Sequence, residues 1–154
     1  MTLANLIREN GVVVDVPADS RKQALNFAAN LAEHVFNIPA QPLLDAVTER
    51  EKLGSTGVGD GVAIPHARTD LVKHVCGVFI RLSQAVDFDS VDGQPADLIF
   101  LLIAPHDAGA EHLKALAQVA RLFRRQRVRT AIRVAPDSAA IMRILTSDIS
   151  TNAA

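Results

Sequence analysis

The 154-residue chain has no tryptophan, no tyrosine and a single cysteine, Cys76. Its only aromatic residues are six phenylalanines, so a protein that binds nucleic acid by stacking bases on aromatic side chains is not favoured. One cysteine cannot form an internal disulfide, which is typical of a reducing compartment. We therefore expect a cytoplasmic protein in which Cys76 is a small, buried hydrophobic side chain.

The chain also lacks a charge excess and a long apolar run. Its formal net charge of −1 gives no overall attraction to nucleic acid or to a membrane surface. No apolar segment approaches the roughly 20 residues of a membrane-spanning helix, and the first ten residues do not have the pattern of a signal peptide. The length and an apolar content of 49% fit one globular domain, which we place at residues 1–148, with a disordered tail at 149–154.

Hydrophobic periodicity alternates between strand and helix along the chain, which predicts an α/β domain with a mixed sheet. The continuous apolar run 96–105 predicts a central strand that is covered on both faces. The arginine-rich run 121–133 predicts a helix end and a connector, with the docking of an acidic partner as the alternative. The other predicted strands are 12–16, 62–65 and 75–82. A short helix or turn that Asn10-Gly11 stops precedes them. The predicted helices are one that Asp19 or Ser20 caps and that runs to Phe36, one that Pro42 opens, one at 110–124 with Leu113 among its inward residues, and one that Asp137 or Ser138 caps.

The stretch GSTGVGDGVAIPHAR, residues 54–68, is a glycine-rich loop that leads into a conformationally restricted segment around Pro65. Alternating glycines favour positive φ angles or close packing of the backbone. Pro65 fixes its own φ and favours an extended residue before it, so His66 should be presented at a defined place. Ser55, Thr56 and Arg68 are hydrogen-bonding residues of the kind that an anion needs.

Several known types of functional motif do not match this stretch. An ordinary flexible loop without a functional role stays possible. No Lys-Ser/Thr pair follows the glycines, G-x-G-x-x-G is absent, and so is G-x-S-x-G, which excludes the common phosphate loop, dinucleotide and serine-nucleophile motifs. The histidines lack the spacing of a zinc site, so we expect no metal and no cofactor. A neutral imidazole is a good nucleophile, which makes His66 a candidate phosphoryl acceptor.

The runs EREKLGSTGVGDGVAIPHAR and EHLKALAQVARLF together resemble the enzyme IIA domains of the bacterial phosphoenolpyruvate-dependent phosphotransferase system, mannitol/fructose type. The resemblance covers residues 3–148 and is greatest to the nitrogen-regulatory branch. It implies a mixed β-sheet flanked by helices on both faces. It also implies that His66 is phosphorylated on its Nε2 (tele) nitrogen, that His112 is a second active-site histidine and that Arg50 pairs with the phosphate. We further expect support of the phosphate by the loop residues Ser55, Thr56 and Gly57.

The same resemblance implies a regulatory phosphorelay protein of bacteria, whose phosphoryl donor is a small histidine phosphocarrier protein. Two alternatives stay open: a IIA component of fructose or mannitol uptake that passes phosphate to a IIB protein, and a binding module without phosphoryl transfer. The chain departs from the family pattern at Asp60, where nitrogen-branch members commonly have Asn, and at Ala67. A carboxylate near a phosphoryl dianion is unfavourable unless it points away.

Overall fold

The computed structural model describes residues 3–152, with side chains described for 3–147. Helices and strands are interleaved along the chain, as the sequence predicts. In chain order the elements are α1 (Leu3–Leu6), β1 (Ile7–Val16), α2 (Arg21–Phe36), α3 (Ala40–Lys52), β2 (Gly57–Gly59), β3 (Val62–Ala63), β4 (His66–Arg68), β5 (Cys76–Val86), β6 (Ala96–Ala104), α4 (Ala110–Phe123), α5 (Gln126–Val134) and α6 (Ser138–Asn152).

The strands form one mixed sheet with the order β1-β5-β6-β3-β2, in which β4 also pairs with β6. β1 runs parallel to β5, and β5 runs antiparallel to β6. β3 and β4 pair in parallel with successive parts of the same strand, since Val62 lies opposite Leu98 and His66 opposite Leu102. The apolar run 96–105 is therefore the central strand, as predicted.

Helices cover the sheet on both faces, which confirms the predicted fold class. Side chains of β6 alternate between two cores, because successive residues of a strand point to opposite faces. Ile99, Leu101 and Ile103 pack in the core that α2 and α3 cover. Phe100 and Leu102 pack in the core that α4, α5 and α6 cover. Burial of each large aliphatic or aromatic side chain contributes about 1.5–3 kcal/mol, so these cores hold the sheet and helices as one unit.

The N-terminal strand is longer than predicted. β1 begins at Ile7 rather than at Val12, so it includes Asn10 and Gly11, which the sequence suggests as a stop signal. Its register with β5 shifts between Ile7 and Val12, and an irregularity of this kind accommodates residues that do not favour regular strands. The helix that follows is capped as predicted, because the Ser20 hydroxyl accepts a hydrogen bond from the Gln23 N–H at 3.2 Å.

Two helix starts differ from the predictions. α3 begins at Ala40, so Pro42 lies in its first turn, where a backbone N–H is not needed. The arginine run is not a connector, because it contains a separate helix, α5, whose Val128 and Ile132 are buried. The cause is an apolar spacing of four residues within the charged run, which gives that helix a buried face.

The prediction of the buried face of α4 is wrong at one position. Leu113 is 63% exposed, whereas Ala115, Val119 and Phe123 are buried. The buried residues lie at spacings of four along the helix, and Leu113 is off that stripe. α6 starts as predicted, with the Asp137 carboxylate accepting from the Ala140 N–H at 2.9 Å. Its backbone is helical to Asn152, residues 153–154 lie outside the described residues, and the tail at 149–154 stays a prediction.

Candidate active site

His66 lies at a break between two strand segments that share one partner. β3 ends at Ala63 and β4 begins at His66, and both pair with β6. Within the break, the Pro65 carbonyl accepts from the Leu102 N–H at 2.9 Å, and the Ile64 N–H donates to the Thr56 carbonyl at 3.0 Å. The backbone before His66 is thus bonded on both sides, which gives the fixed presentation that Pro65 predicts.

The alternating glycines build the hairpin that leads into this strand. β2 and β3 are antiparallel, and the turn that joins them is formed by Gly59, Asp60 and Gly61, with φ angles of 98°, 58° and 78°. Positive φ favours glycine, so Gly59 and Gly61 serve the turn itself. Gly57 serves close packing instead, because a Cβ there would collide with the Ser90 side chain.

The two departures from the family pattern are both accommodated away from the imidazole of His66. The Asp60 carbonyl accepts from Arg133 Nη2 at 2.9 Å, and its carboxylate lies 3.9 Å from Arg129 Nη1. Both arginines belong to α5, so this carboxylate faces the arginine-rich helix. Ala67 is buried in the core beneath α2 and α3, where its methyl group fits.

The His66 ring is held in one tautomer. Its Nδ1 lies 2.8 Å from the Ile64 carbonyl, which can only accept, so Nδ1 carries the proton and Nε2 carries a lone pair. Burial of the half-buried ring lowers its pKa, the bond to Ile64 opposes this, the nearby charge of Arg50 lowers the pKa further and that of Glu51 raises it. The balance is a lowered pKa, so the ring is neutral at pH 7 with Nε2 free to act as a nucleophile.

His112 is the third residue of α4, and it is 5% exposed. Its ring centroid lies 5.6 Å from that of His66 in an edge-on arrangement. Arg68 Nε donates to His112 Nδ1 at 3.0 Å, which leaves the proton of the neutral ring on Nε2. Burial lowers the pKa of His112, and the charges of His66 and Arg68 lower it further. Nε2 is buried and has no hydrogen-bond partner among the side chains and backbone that the structure describes, so its N–H is an unsatisfied donor.

Arg50, the predicted phosphate-pairing residue, lies in the last turn of α3. Its Nη1 donates to the Gly54 carbonyl at 2.8 Å, and its charge lowers the pKa of His66. The structure therefore brings together His66, His112 and Arg50, three residues that are far apart in the sequence.

The hydroxyls of Ser55 and Thr56 are already engaged inside the loop. Ser55 Oγ donates to the Phe88 carbonyl and accepts from the Gly57 N–H, the latter at 2.9 Å. Thr56 Oγ1 donates to the Glu51 carboxylate. These bonds hold the shape of the loop, and a contact of Ser55, Thr56 or Gly57 with phosphate stays a prediction.

Sequence reasoning missed two residues of this site. Arg68 is noted only as a hydrogen-bonding type, but it bonds His112 from 44 residues away, and no local pattern signals that contact. Glu51 looks like one charge of an exposed helix end, yet it is 8% exposed and lies 3.4 Å from Arg21 Nη1. An acidic residue that is buried and bonded to both Arg21 and Thr56 joins α2, α3 and the loop.

Within residues 3–147, whose side chains the structure describes, no three side chains of the types His, Cys, Asp or Glu come together as ligands for a metal ion. His106 lies on its own loop, 3.9 Å from Asp70. The same span contains no helix with the length and hydropathy to cross a membrane.

Comparison with known proteins decides the family. The model of "phosphoenolpyruvate-dependent sugar phosphotransferase system, EIIA 2" matches residues 5–148. The chain belongs to this EIIA family. It is 41% identical over 145 residues to a nitrogen regulatory protein of Bradyrhizobium diazoefficiens, with 94% of this chain and 95% of that protein covered. It is 39% identical over 144 residues to a nitrogen regulatory protein of Pseudomonas aeruginosa, with 93% and 94% covered.

Solved structures of the EIIA family share the fold. The crystal structure of nitrogen regulatory protein IIA-Ntr from Neisseria meningitidis superimposes with a TM-score of 0.88 at 35% identity, covering 94% of this chain and 99% of that one. IIA mannitol from Escherichia coli superimposes with a TM-score of 0.76 at 20% identity, covering 89% and 96%, which shows a common fold.

Proposed function

We propose that this EIIA protein accepts a phosphoryl group on His66 Nε2 from a histidine phosphocarrier protein and acts as a regulatory phosphorelay component. The observation that carries the proposal is the opposite protonation of two neighbouring rings. His66 Nδ1 donates to the Ile64 carbonyl, and His112 Nδ1 accepts from Arg68. One Nε2 is therefore a nucleophile, and the other is a hydrogen-bond donor beside it.

The transfer step needs no net movement of a proton. The lone pair of His66 Nε2 attacks phosphorus in line, while the bond from phosphorus to the donor's ring nitrogen breaks and leaves its electron pair on that ring. His66 keeps its Nδ1 proton and its bond to Ile64 throughout. The phosphorylated ring carries positive charge, which the carbonyl of Ile64 and the charge of Glu51 both favour, since each raises the pKa of His66.

Charge on the phosphoryl oxygens is met by two groups that are in place before transfer. His112 Nε2–H is an unpaired donor within the residues whose side chains are described, and its ring lies against that of His66. Arg50 contributes the guanidinium, tethered by the Gly54 carbonyl. Donors and cations that are fixed in advance stabilise a phosphoryl transition state without a cost of reorganisation.

A regulatory role is supported by the relatives at 39–41% identity, which carry the name nitrogen regulatory protein. The phosphoryl group brings about −2 of charge to a half-buried surface, and the positive charge of the ring reduces the net change to about −1. A regulatory partner can read that change. Sugar uptake is the second candidate, because a Haloferax volcanii protein that is 32% identical is named a fructose-specific EIIA component. In that case the phosphate would pass to a IIB protein.

The first test is to map the phosphate. The full chain would be incubated with enzyme I, the phosphocarrier and phosphoenolpyruvate, and the bound phosphorus located by NMR and by mass spectrometry of peptides. We expect an acid-labile phosphate on Nε2 of His66. A phosphate on Nδ1, or on another residue, would contradict the mechanism. Transfer from the labelled chain to a fructose-type IIB protein would favour uptake over regulation.

A further inference from the structure

A cavity of about 690 Å³ opens at the same end of the sheet as His66, but on the other side of β6. Cys76 in its wall pairs with Ile103 of β6, and His66 pairs with the neighbouring Leu102. A volume of this size is typical of sites for small molecules, which usually occupy some hundreds of cubic ångströms. Neither the phosphoryl transfer step nor any residue assigned to it uses this space.

The cavity wall contains both apolar and basic side chains. Arg8, Lys73 and His74 provide the basic side chains, and Glu111 is the acidic residue of the wall. The ion pairs found among residues 3–147 use other cations, so no carboxylate there neutralises Arg8 or Lys73. The apolar wall consists of Leu6, Phe36, Ile38, Leu71, Val72 and Val75.

Arg8 is held in position before any ligand arrives. Its Nη1 donates to the Val35 carbonyl at 3.0 Å, and its guanidinium carbon lies 4.9 Å from the centre of the Phe36 ring. The rest of the planar group keeps N–H donors that can form a two-point contact with a carboxylate. A guanidinium that is already fixed loses little conformational entropy when an anion binds.

The thiol of Cys76 does not compete for these cations. Burial raises its pKa to about 12, although the charge of Arg8 acts in the opposite direction. The thiol is therefore neutral at pH 7 and adds to the apolar lining of the cavity.

We propose that this cavity is a binding site for a small organic carboxylate, with Arg8 and Lys73 contacting the carboxylate and the apolar wall contacting a short carbon chain. Glu111 of the wall directly precedes His112 on α4. An occupant would thus lie one residue along the chain from the second histidine of the active site. This proposal does not depend on phosphoryl transfer.

The test uses the unphosphorylated full chain without any phosphoryl donor, so its result is separate from that for His66. Hexanoate would be titrated while amide signals are followed by NMR. We expect saturable shifts in residues 5–8, 36–38 and 71–76. Two control ligands separate charge from shape. Hexanamide has the same shape without the charge, and inorganic phosphate has the charge without the carbon chain. Each should bind at least about tenfold more weakly than hexanoate.

Variants separate the site from general attraction of anions. Lys73→Gln should weaken hexanoate binding about tenfold, since it removes a charged contact, whereas Lys22→Gln on α2 should leave it unchanged. Arg8→Lys keeps the charge but loses the planar fork, and it should also weaken binding while the melting temperature shows that the fold persists. Equal binding of hexanamide, equal affinity in Lys73→Gln, or no saturable shift at millimolar hexanoate would overturn the proposal.

Discussion

The two histidines of the candidate site occupy similar positions, each at the start of an element, yet the structure protonates their rings on opposite nitrogens. His66 begins β4 and gives its Nδ1 proton to a backbone carbonyl, while His112 lies in the first turn of α4 and takes a hydrogen bond at Nδ1 from Arg68. Both rings are neutral at pH 7, because burial lowers both pKa values. The proposed difference between a nucleophile and a donor thus comes from which ring nitrogen carries the proton, and not from the charge of the ring.

The hydrogen-bond partners of the two rings also differ in kind. The partner of His66 is main chain, two residues away, so it belongs to the loop itself. The partner of His112 is a side chain on another element, which makes the donor role easier to alter by mutation than the nucleophile role. The predictions below alter one ring or one partner at a time.

The largest effect should follow removal of the nucleophile. In His66→Ala no ring nitrogen is left at the end of the loop, so phosphorylation by the phosphocarrier should fall below detection. The measurement is incorporation of label from phosphoenolpyruvate. His34→Ala, at an exposed position on α2, is the matched control and should label like the wild type. Labelling of His66→Ala at the normal level would disprove the assignment.

The next effect should come from His112. His112→Ala removes one fixed donor to the phosphoryl group, and loss of such a donor slows a reaction by about 10²- to 10³-fold. His112→Gln retains an N–H group and should keep more of the rate. Because His112 is buried, melting temperatures must show that both variants fold. Equal rates for Ala, Gln and wild type would exclude a donor role.

Removal of the cation should have a somewhat smaller effect. Arg50→Gln loses a charged hydrogen bond to the phosphoryl group, which corresponds to a rate about 10- to 100-fold lower. Lys52→Gln changes the same charge on the same helix end, where the lysine pairs with Glu49, and should have little effect. If both substitutions slowed the reaction equally, the role of Arg50 would be general electrostatic attraction of the donor.

Substitution of Arg68 tests the difference between the two histidine rings most directly, and we expect a smaller change in the rate of phosphorylation. Arg68→Leu frees His112 Nδ1, so the ring can populate both neutral tautomers, and phosphorylation should slow by about tenfold or less. Arg68→Lys should recover part of the rate. Nitrogen NMR of His112 gives the readout that a merely structural role would not change, because its tautomer should be mixed only in the leucine variant.

The smallest effect should be on the pH dependence of the free energy of unfolding. Both histidine pKa values are lowered in the folded chain, so the unfolded chain takes up protons first as the pH falls below about 6.5. The stability from these rings is present above that value and is lost as the pH falls through the lowered pKa values. Urea unfolding should therefore show a steeper loss in acid for the wild type than for His112→Gln. Parallel curves would mean that His112 has no lowered pKa.

Local patterns predicted most of the fold because they act over short distances. Periodicity gave the central strand 96–105, and the chemistry of Ser20 and Asp137 gave two helix starts. α5 was missed because its sequence is dominated by arginines, and only packing shows that Val128 and Ile132 are buried. The prediction that Leu113 is buried is wrong because hydrophobicity alone does not show which apolar residues of a helix contact the sheet.

Sequence alone determined that a stiffened loop ends on His66, because proline geometry and the positive φ of glycine are properties of the residues themselves. The motifs also indicated the family, and with it the expected parts of Arg50 and His112. Only the tertiary structure decided which nitrogen of each histidine ring carries the proton. That choice depends on hydrogen bonds to Ile64 and Arg68, and the second of these joins residues 44 apart that meet only when α4 packs on the sheet.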